Sequence, residues 1–295
     1  MTEPERGILL LCAELSDGLR PLSTARLRRL SLLVRAQTHR PGQPEKEITA
    51  EDLMSMGCRE EAAREIVALL SRQQALERYL QLAAERGIRP LTLRSPCYPR
   101  RLRELLADDA PPVLFYKGEL SLLSRPAVSV VGSRDLREDS RDFACRLGTL
   151  AAREGLVLVS GNARGADRTA QDACLKAGGA VICVVGDELY PHEEEQGRIL
   201  WLCERGWQLP FSAARARSRN RLIHALGEKT LVVQTGLSGG TFSGTEENLR
   251  HGWSPVFLRR DGSPGADRLL DLGAGACPEQ LQSLSALTDG RIRFF

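Results

Sequence analysis

The sequence predicts an α/β fold: a Rossmann-like parallel sheet with helices on both faces, preceded by a small helical N-terminal domain. Three observations carry that expectation. From Ala127 onward, short runs of Val, Ile and Leu alternate with helical stretches, the signature of a sheet built from βαβ units. The runs are nearly continuous in apolar character, as strands covered on both faces must be. Before residue 88 the apolar spacing is helical instead. At 295 residues and 42% hydrophobic content, the chain supports one sizeable α/β core and a smaller companion domain.

Taken in order, the N-terminal region reads as helices at 7–15 and 23–37, and then as a short helix opened by Thr49. Asp52 stands three residues on from Thr49, the spacing of a capping box. One long helix is predicted over 59–86. The polar, Pro/Gly-containing stretch 38–47 has no periodicity, and prolines at 96, 99, 111, 112 and 126 punctuate a structured connector. Strands are predicted at 128–131, 156–159, 180–185, 230–234 and 255–258. Helices are predicted between them at 137–154, 165–178, 193–205, 219–226 and 244–251. Beyond 258 the chain turns Gly/Asp/Pro-rich, with two weak helical segments and the tail 291–295. The resulting domains are 1–87, helical and of the sterile-alpha-motif or helix-hairpin-helix kind; 88–126, a connector packing on the core; 127–262, the Rossmann-like domain; and 263–295, a C-terminal tail.

Bulk properties narrow the function. No stretch approaches the roughly 20 apolar residues of a membrane span, and the first six residues lack a basic secretory start. A cytoplasmic protein with no membrane partner is expected. The eight cysteines contain no CxxC pair and sit mostly among apolar neighbours, which predicts buried, reduced thiols. A net charge of +3 is small, so any affinity for nucleic acid must come from clustered arginines.

Ligands of an open parallel sheet bind beyond the carboxyl ends of its strands. Three such loops share one composition. The first strand runs into Gly132, Ser133 and Arg134. The second runs into Ser160, Gly161, Asn162, Ala163, Arg164, Gly165, Ala166 and Asp167, and the fourth into Gly236, Ser238, Gly239, Gly240 and Thr241. This composition suits phosphate, because glycine admits close backbone amides, hydroxyls donate, helix N-termini add positive dipoles, and arginine adds a bidentate charge. Taken singly, any one of the loops is also explained as an ordinary chain reversal. Asp167 is expected to cap the following helix and fix its loop. A second cluster, Arg215, Arg217, Arg219 and Arg221, lies in an acid-free stretch 206–227. An extended lead-in as far as Arg219 would place alternate arginines on one face; a solvated surface run is the plainer alternative.

The common signatures of catalysis are missing: there is no GxxxxGK[ST] loop, HExxH helix or GxSxG elbow. His39, His192, His224 and His251 show no metal-ligand spacing. No cofactor, metal or catalytic residue is expected.

The runs GSR at 132–134, SGNARGAD at 160–167, YP at 190–191, RNRLIHAL at 219–226 and SGGT at 238–241 resemble the DNA-processing protein A family (DprA, also called Smf). YPRRL at 98–102 and PPVLFYKGELSLL at 111–123 extend the resemblance upstream, to about residues 98–258. The resemblance implies a homodimeric protein that binds single-stranded DNA, protects it and helps load the RecA recombinase in transformation. By position, Arg134, Arg164, Arg219, Asn220 and Arg221 are similar to the family's DNA-contacting and pocket-forming residues. Gly132, Ser133, Gly161, Gly165, Ser238 and Gly239 would shape the same pocket, and Arg217, Ser160, Asn162, Gly240 and Thr241 complete the candidate set. The chain departs from the family pattern at Gln171 (usually His), Ala166 (usually Ile), Gln234–Thr235 (usually an acidic–Ala pair) and Gly252–Ser254. A C-terminal winged helix and a GxG hairpin are not expected.

Two other functions compete. The lonely-guy group of nucleoside monophosphate phosphoribohydrolases carries a PGGxGTxxE loop, which SGGTFSGTEE at 238–247 partly resembles; here two extra residues displace the carboxylate, and Glu246 and Glu247 are expected in a helix's first turn. A pocket sensing a nucleotide-derived signal is the other. With aromatics at 5% of the chain, phosphate gripping without base contact is expected.

Overall fold

The computed structural model describes residues 1–36, 48–193, 197–278 and 280–288. The polar stretch 38–47 and the tail 291–295 lie outside the described residues. The chain divides into two compact units. The first comprises Met1–Tyr98, Ala107–Phe115 and Glu204–Gly206; the second comprises Pro99–Leu106, Tyr116–Cys203 and Trp207–Phe295.

In the first unit α1 (Glu3–Cys12) opens on a capping box between Thr2 and Glu5. It is followed by α2 (Thr24–Ala36) and by α3 (Ala50–Ser55), which the reciprocal Thr49–Asp52 bonds cap as the spacing predicts. The single helix expected over 59–86 is in fact two, α4 (Glu60–Leu70) and α5 (Gln73–Ala84). The break falls at Arg72, whose backbone leaves helical geometry. Its buried guanidinium donates to the carbonyls of Leu10 and Ala13 and pairs with Asp17. Those bonds hold the end of α1, and a continuous helix would break them. Leu9, Leu53, Leu69 and Leu76 form the centre of this unit's core. Residues 88–126, read as a connector, are divided between the units: β1 (Ile88–Thr92) belongs to the first, α6 (Arg100–Leu106) to the second, and β2 (Val113–Gly118) to the first as far as Phe115.

The second unit is the Rossmann-like body. Its elements run β3 (Ala127–Val131), α7 (Glu138–Arg153), β4 (Val157–Ser160), α8 (Ala166–Lys176), β5 (Ala180–Val184) and β6 (Ile199–Glu204). They continue through α9 (Ala213–Ser218), α10 (Asn220–Leu226), β7 (Thr230–Val232), α11 (Gly240–His251), β8 (Val256–Arg259), α12 (Pro264–Asp271) and β9 (Gly275–Cys277). The five predicted strands are all present. The helix predicted at 193–205 is wrong, because β6 occupies its second half. Ile199 through Cys203 are all buried, so the segment has neither the alternation of a half-exposed strand nor a polar helical face.

These strands lie in the order β6-β5-β4-β3-β7-β8-β9, and each neighbouring pair is parallel. Successive strands from β3 to β6 build the sheet in one direction, whereas β7 to β9 build it in the other. The loops leaving β3 and β7 therefore diverge around a crevice, where open parallel sheets take their ligands. β3, β4 and β5 are buried along their whole length, which explains their unbroken apolar sequences. Of the cysteines, Cys12, Cys174, Cys183, Cys203 and Cys277 are buried as expected, but Cys97 and Cys145 are exposed.

Candidate functional site

A cavity of about 510 Å³ opens at that crevice. Gly132, Ser133 and Arg134 line it from the end of β3, and Ser238, Gly239, Gly240 and Thr241 from the end of β7. Arg217, Arg219 and Asn220 close it from α9 and α10. The tertiary fold thus brings together these residues singled out from sequence, and Ala163, Asp167 and Gly236 of the same loops line the cavity with them.

The glycine-rich loops are locked to one another. The Ser133 N–H donates to the Gln234 carbonyl at 2.9 Å, and the Thr241 hydroxyl to the Gly132 carbonyl at 2.9 Å. Asn220 Nδ2 donates to the Gly240 carbonyl at 3.1 Å, tying α10 to the start of α11. Gly239 precedes α11 with a φ of +96°, a conformation that side-chain-bearing residues rarely adopt. Two residues upstream of that loop, the Gln234 side chain grips the loop after β3. It accepts from the Arg137 N–H and donates to the Asp135 carbonyl, both at 3.0 Å.

Arg219 is only 8% exposed and stands beneath the cavity. Its Nη2 donates to the Gly161 carbonyl at 2.9 Å and its Nη1 to the Asn220 side chain at 3.3 Å. Burial lowers its pKa, an effect opposed by the negative charges of Asp167 and Asp187. Asp167 is itself buried, and burial pushes its pKa up against the pull of Arg219. The carboxylate accepts the N–H groups of Gly161 (3.1 Å) and Ala163 (3.3 Å), which fixes the loop after β4. It is not the cap of α8, as the sequence suggested; Gly165 holds the N-cap position at φ +87°. A side chain at Gly165 would strike the carbonyls of Ser133 and Arg134, so the two loops touch only because a glycine stands there.

Other candidates are placed differently. The extended lead-in expected before Arg219 is helix α9, because Ser212 caps it by accepting from the Arg215 N–H. The alternate arginines therefore do not share a face. Arg215 turns back onto the carbonyls of Leu209 and Pro210, and Arg221 bonds Ser218. Neither lines the cavity. Arg164 lies outside it as well, with its side chain 76% exposed and paired to Asp135 at 2.6 Å. Ser160, Gly161, Asn162 and Gly165 form the supporting loop rather than the lining. Glu246 and Glu247 are not in the first turn of their helix, since α11 begins at Gly240.

Sequence reading missed Ala213, Ala216 and His224. Their signal was present: 213, 216, 217, 220 and 224 fall at helical spacing, one face carried across two short helices. His224 is buried behind the cavity, its Nδ1 within 3.1 Å of the Thr230 hydroxyl, which in turn lies 2.8 Å from that of Ser254. Burial and the neighbouring Arg219 charge push its pKa down to about 3. Among the described residues no group of three His, Cys, Asp or Glu side chains is placed to hold a metal. Nor, among these residues, is any helix long and apolar enough to cross a membrane.

A doubly wound sheet with two arginine-flanked, glycine-rich loops and a helix N-terminus at its switch point defines a Rossmann-like protein with a polar, arginine-bearing crevice. The chain belongs to the DNA recombination-mediator protein A family, whose model matches residues 89–288. The DNA processing protein DprA of Streptococcus pneumoniae is 33% identical over 165 residues, which cover 53% of this chain and 57% of that protein. The chain thus matches less than two thirds of that relative's length. The X-ray structure of DprA from Streptococcus pneumoniae superposes with a TM-score of 0.71 at 26% identity, covering 94% of this chain and 95% of that one. A solved structure of DNA processing protein A from Helicobacter pylori, described as giving insight into its single-stranded DNA binding mode, superposes with a TM-score of 0.55 at 25% identity. It covers 65% of this chain and 92% of that one.

Proposed function

We propose that the second unit binds single-stranded DNA by its phosphates. The carrying observation is the cavity at the switch point. The side chains of Arg134 and Arg217 are exposed and make no hydrogen bond or ion pair among the described residues, and both line a pocket floored by the buried Arg219. Two free guanidinium groups beside the N-terminus of α11 match a phosphodiester chain in charge and in hydrogen-bond geometry. Membership in a family with a relative described as binding single-stranded DNA supports the same reading. Protection of the strand, delivery to a RecA recombinase and pairing of two copies are the finer parts of this proposal, and they rest on family membership alone.

Binding without catalysis is the reading we adopt. Glu246 and Glu247 lie in the second turn of α11, and neither lines the cavity. The deciding experiment measures retention of a labelled oligo-dT against salt concentration, alongside release of free base from nucleoside monophosphates. Binding that weakens steeply with salt is expected. Failure to retain any strand at low salt, with base released only while Glu247 is intact, would overturn the proposal.

A further inference from the structure

In the second unit, the large hydrophobic side chains left exposed among the described residues are Tyr190, Phe211 and Leu237. All three sit in loops that leave the carboxyl ends of strands, after β5, β6 and β7 respectively. Among the described residues of this unit, the strongly exposed large hydrophobic side chains thus all lie at the edge that carries the cavity. Leu237 is 59% exposed between Gly236 and Ser238, both cavity-lining. Phe211 is 55% exposed, two residues before the cavity-lining Ala213.

Tyr190 is held by its ring and Phe211 by its backbone. Tyr190 packs edge-to-face on the buried Trp207, with ring centroids 6.4 Å apart, and the Leu189 N–H donates to the Trp207 carbonyl at 2.9 Å. The loop bearing Phe211 is clamped by Arg215, which donates to the carbonyls of Leu209 and Pro210. An aromatic side chain already held at the surface loses little entropy when a flat apolar ligand covers its exposed face.

We infer that Tyr190 and Phe211 are stacking platforms for nucleobases, with Leu237 as an apolar contact on the same edge. Leu237 and Phe211 each stand within two residues of cavity-lining residues, Gly236 and Ser238 for the one and Ala213 for the other. Tyr190 stands in the loop after β5, two strands from β3 in the sheet order. Phosphates held in the cavity leave their bases directed along this edge, so the site reads a run of stacked bases and not a lone phosphate. Stacking on an aromatic ring tolerates every base and demands unpaired ones, which selects single strands over duplexes.

This inference rests on the phosphate-binding reading and is tested apart from it. Binding of dT12 is compared with binding of a twelve-unit abasic strand of equal charge, in the wild type and in Tyr190→Ala, Phe211→Ala and the double variant. The wild type is expected to prefer dT12 by about tenfold. The double variant should bring that ratio near one, without changing the salt dependence of binding, and Phe211→Trp should restore it. Equal binding of both strands by the wild type, or an unchanged ratio in the double variant, would overturn the inference while leaving phosphate binding standing. Absence of any strand binding would overturn the phosphate reading and this inference together. Both substituted rings are exposed, so the variants are expected to fold, which urea unfolding checks.

Discussion

Nη2 of Arg219 donates to the carbonyl oxygen of Gly161 at 2.9 Å, joining the start of α10 to the loop after β4. The approach is so close that a Cβ on residue 161 would fall about 2 Å from the guanidinium. Cavity floor and supporting loop are therefore one unit, and substitution on either side should be felt at the site.

Gly161→Ala is expected to displace Arg219 and weaken oligo-dT binding by about tenfold or more, with a stability loss of about 1–3 kcal/mol. Anisotropy titration and urea unfolding report the two effects. Unchanged binding in a folded variant would show that Arg219 need not stay where it is.

Arg134→Ala and Arg217→Ala should separate binding from stability. Both side chains are exposed, so unfolding should change by no more than about 0.5 kcal/mol. If each meets one phosphate, each variant should lower the slope of log K against log salt by about 0.7. Arg164→Ala, whose partner is Asp135, should affect the slope less.

Gln234 supplies a donor and an acceptor at once to the loop that carries Arg134. Gln234→Glu keeps the acceptor for the Arg137 N–H and loses the donor to Asp135. We expect a three- to tenfold loss of strand affinity, on the scale of about 1 kcal/mol for one hydrogen bond, with little change in melting.

His224 predicts an acid limb in stability. In the unfolded chain the ring takes its proton near pH 6.5; in the fold, burial and Arg219 hold that event off to about pH 3. Between these values the unfolded state binds more protons, so stability falls as the pH drops through that window, by up to about 1.4 kcal/mol per pH unit. Urea unfolding from pH 7 to pH 4 measures it. His224→Gln, which stays neutral, should flatten the limb.

The sequence by itself determined the parallel sheet, five of its strands, the Thr49 cap and the loops that meet at the cavity. It could do so because apolar runs, Gly/Ser/Arg turns and capping spacings are local patterns. It could not reveal β6, since after Ile199 the strand runs Leu, Trp, Leu, Cys and lacks the β-branched residues that marked the other buried strands. Nor could it place the arginines. A single Ser212 cap turned an expected extended segment into α9 and sent Arg215 and Arg221 to backbone carbonyls. Arg217 and Arg219 alone were left for the cavity from that cluster. Which cations stay free for a phosphate depends on neighbours far apart in the chain, such as Asp135 for Arg164 and Gly161 for Arg219. Only the tertiary structure decided those pairings, because charge is local in sequence while its neutralisation is local in space.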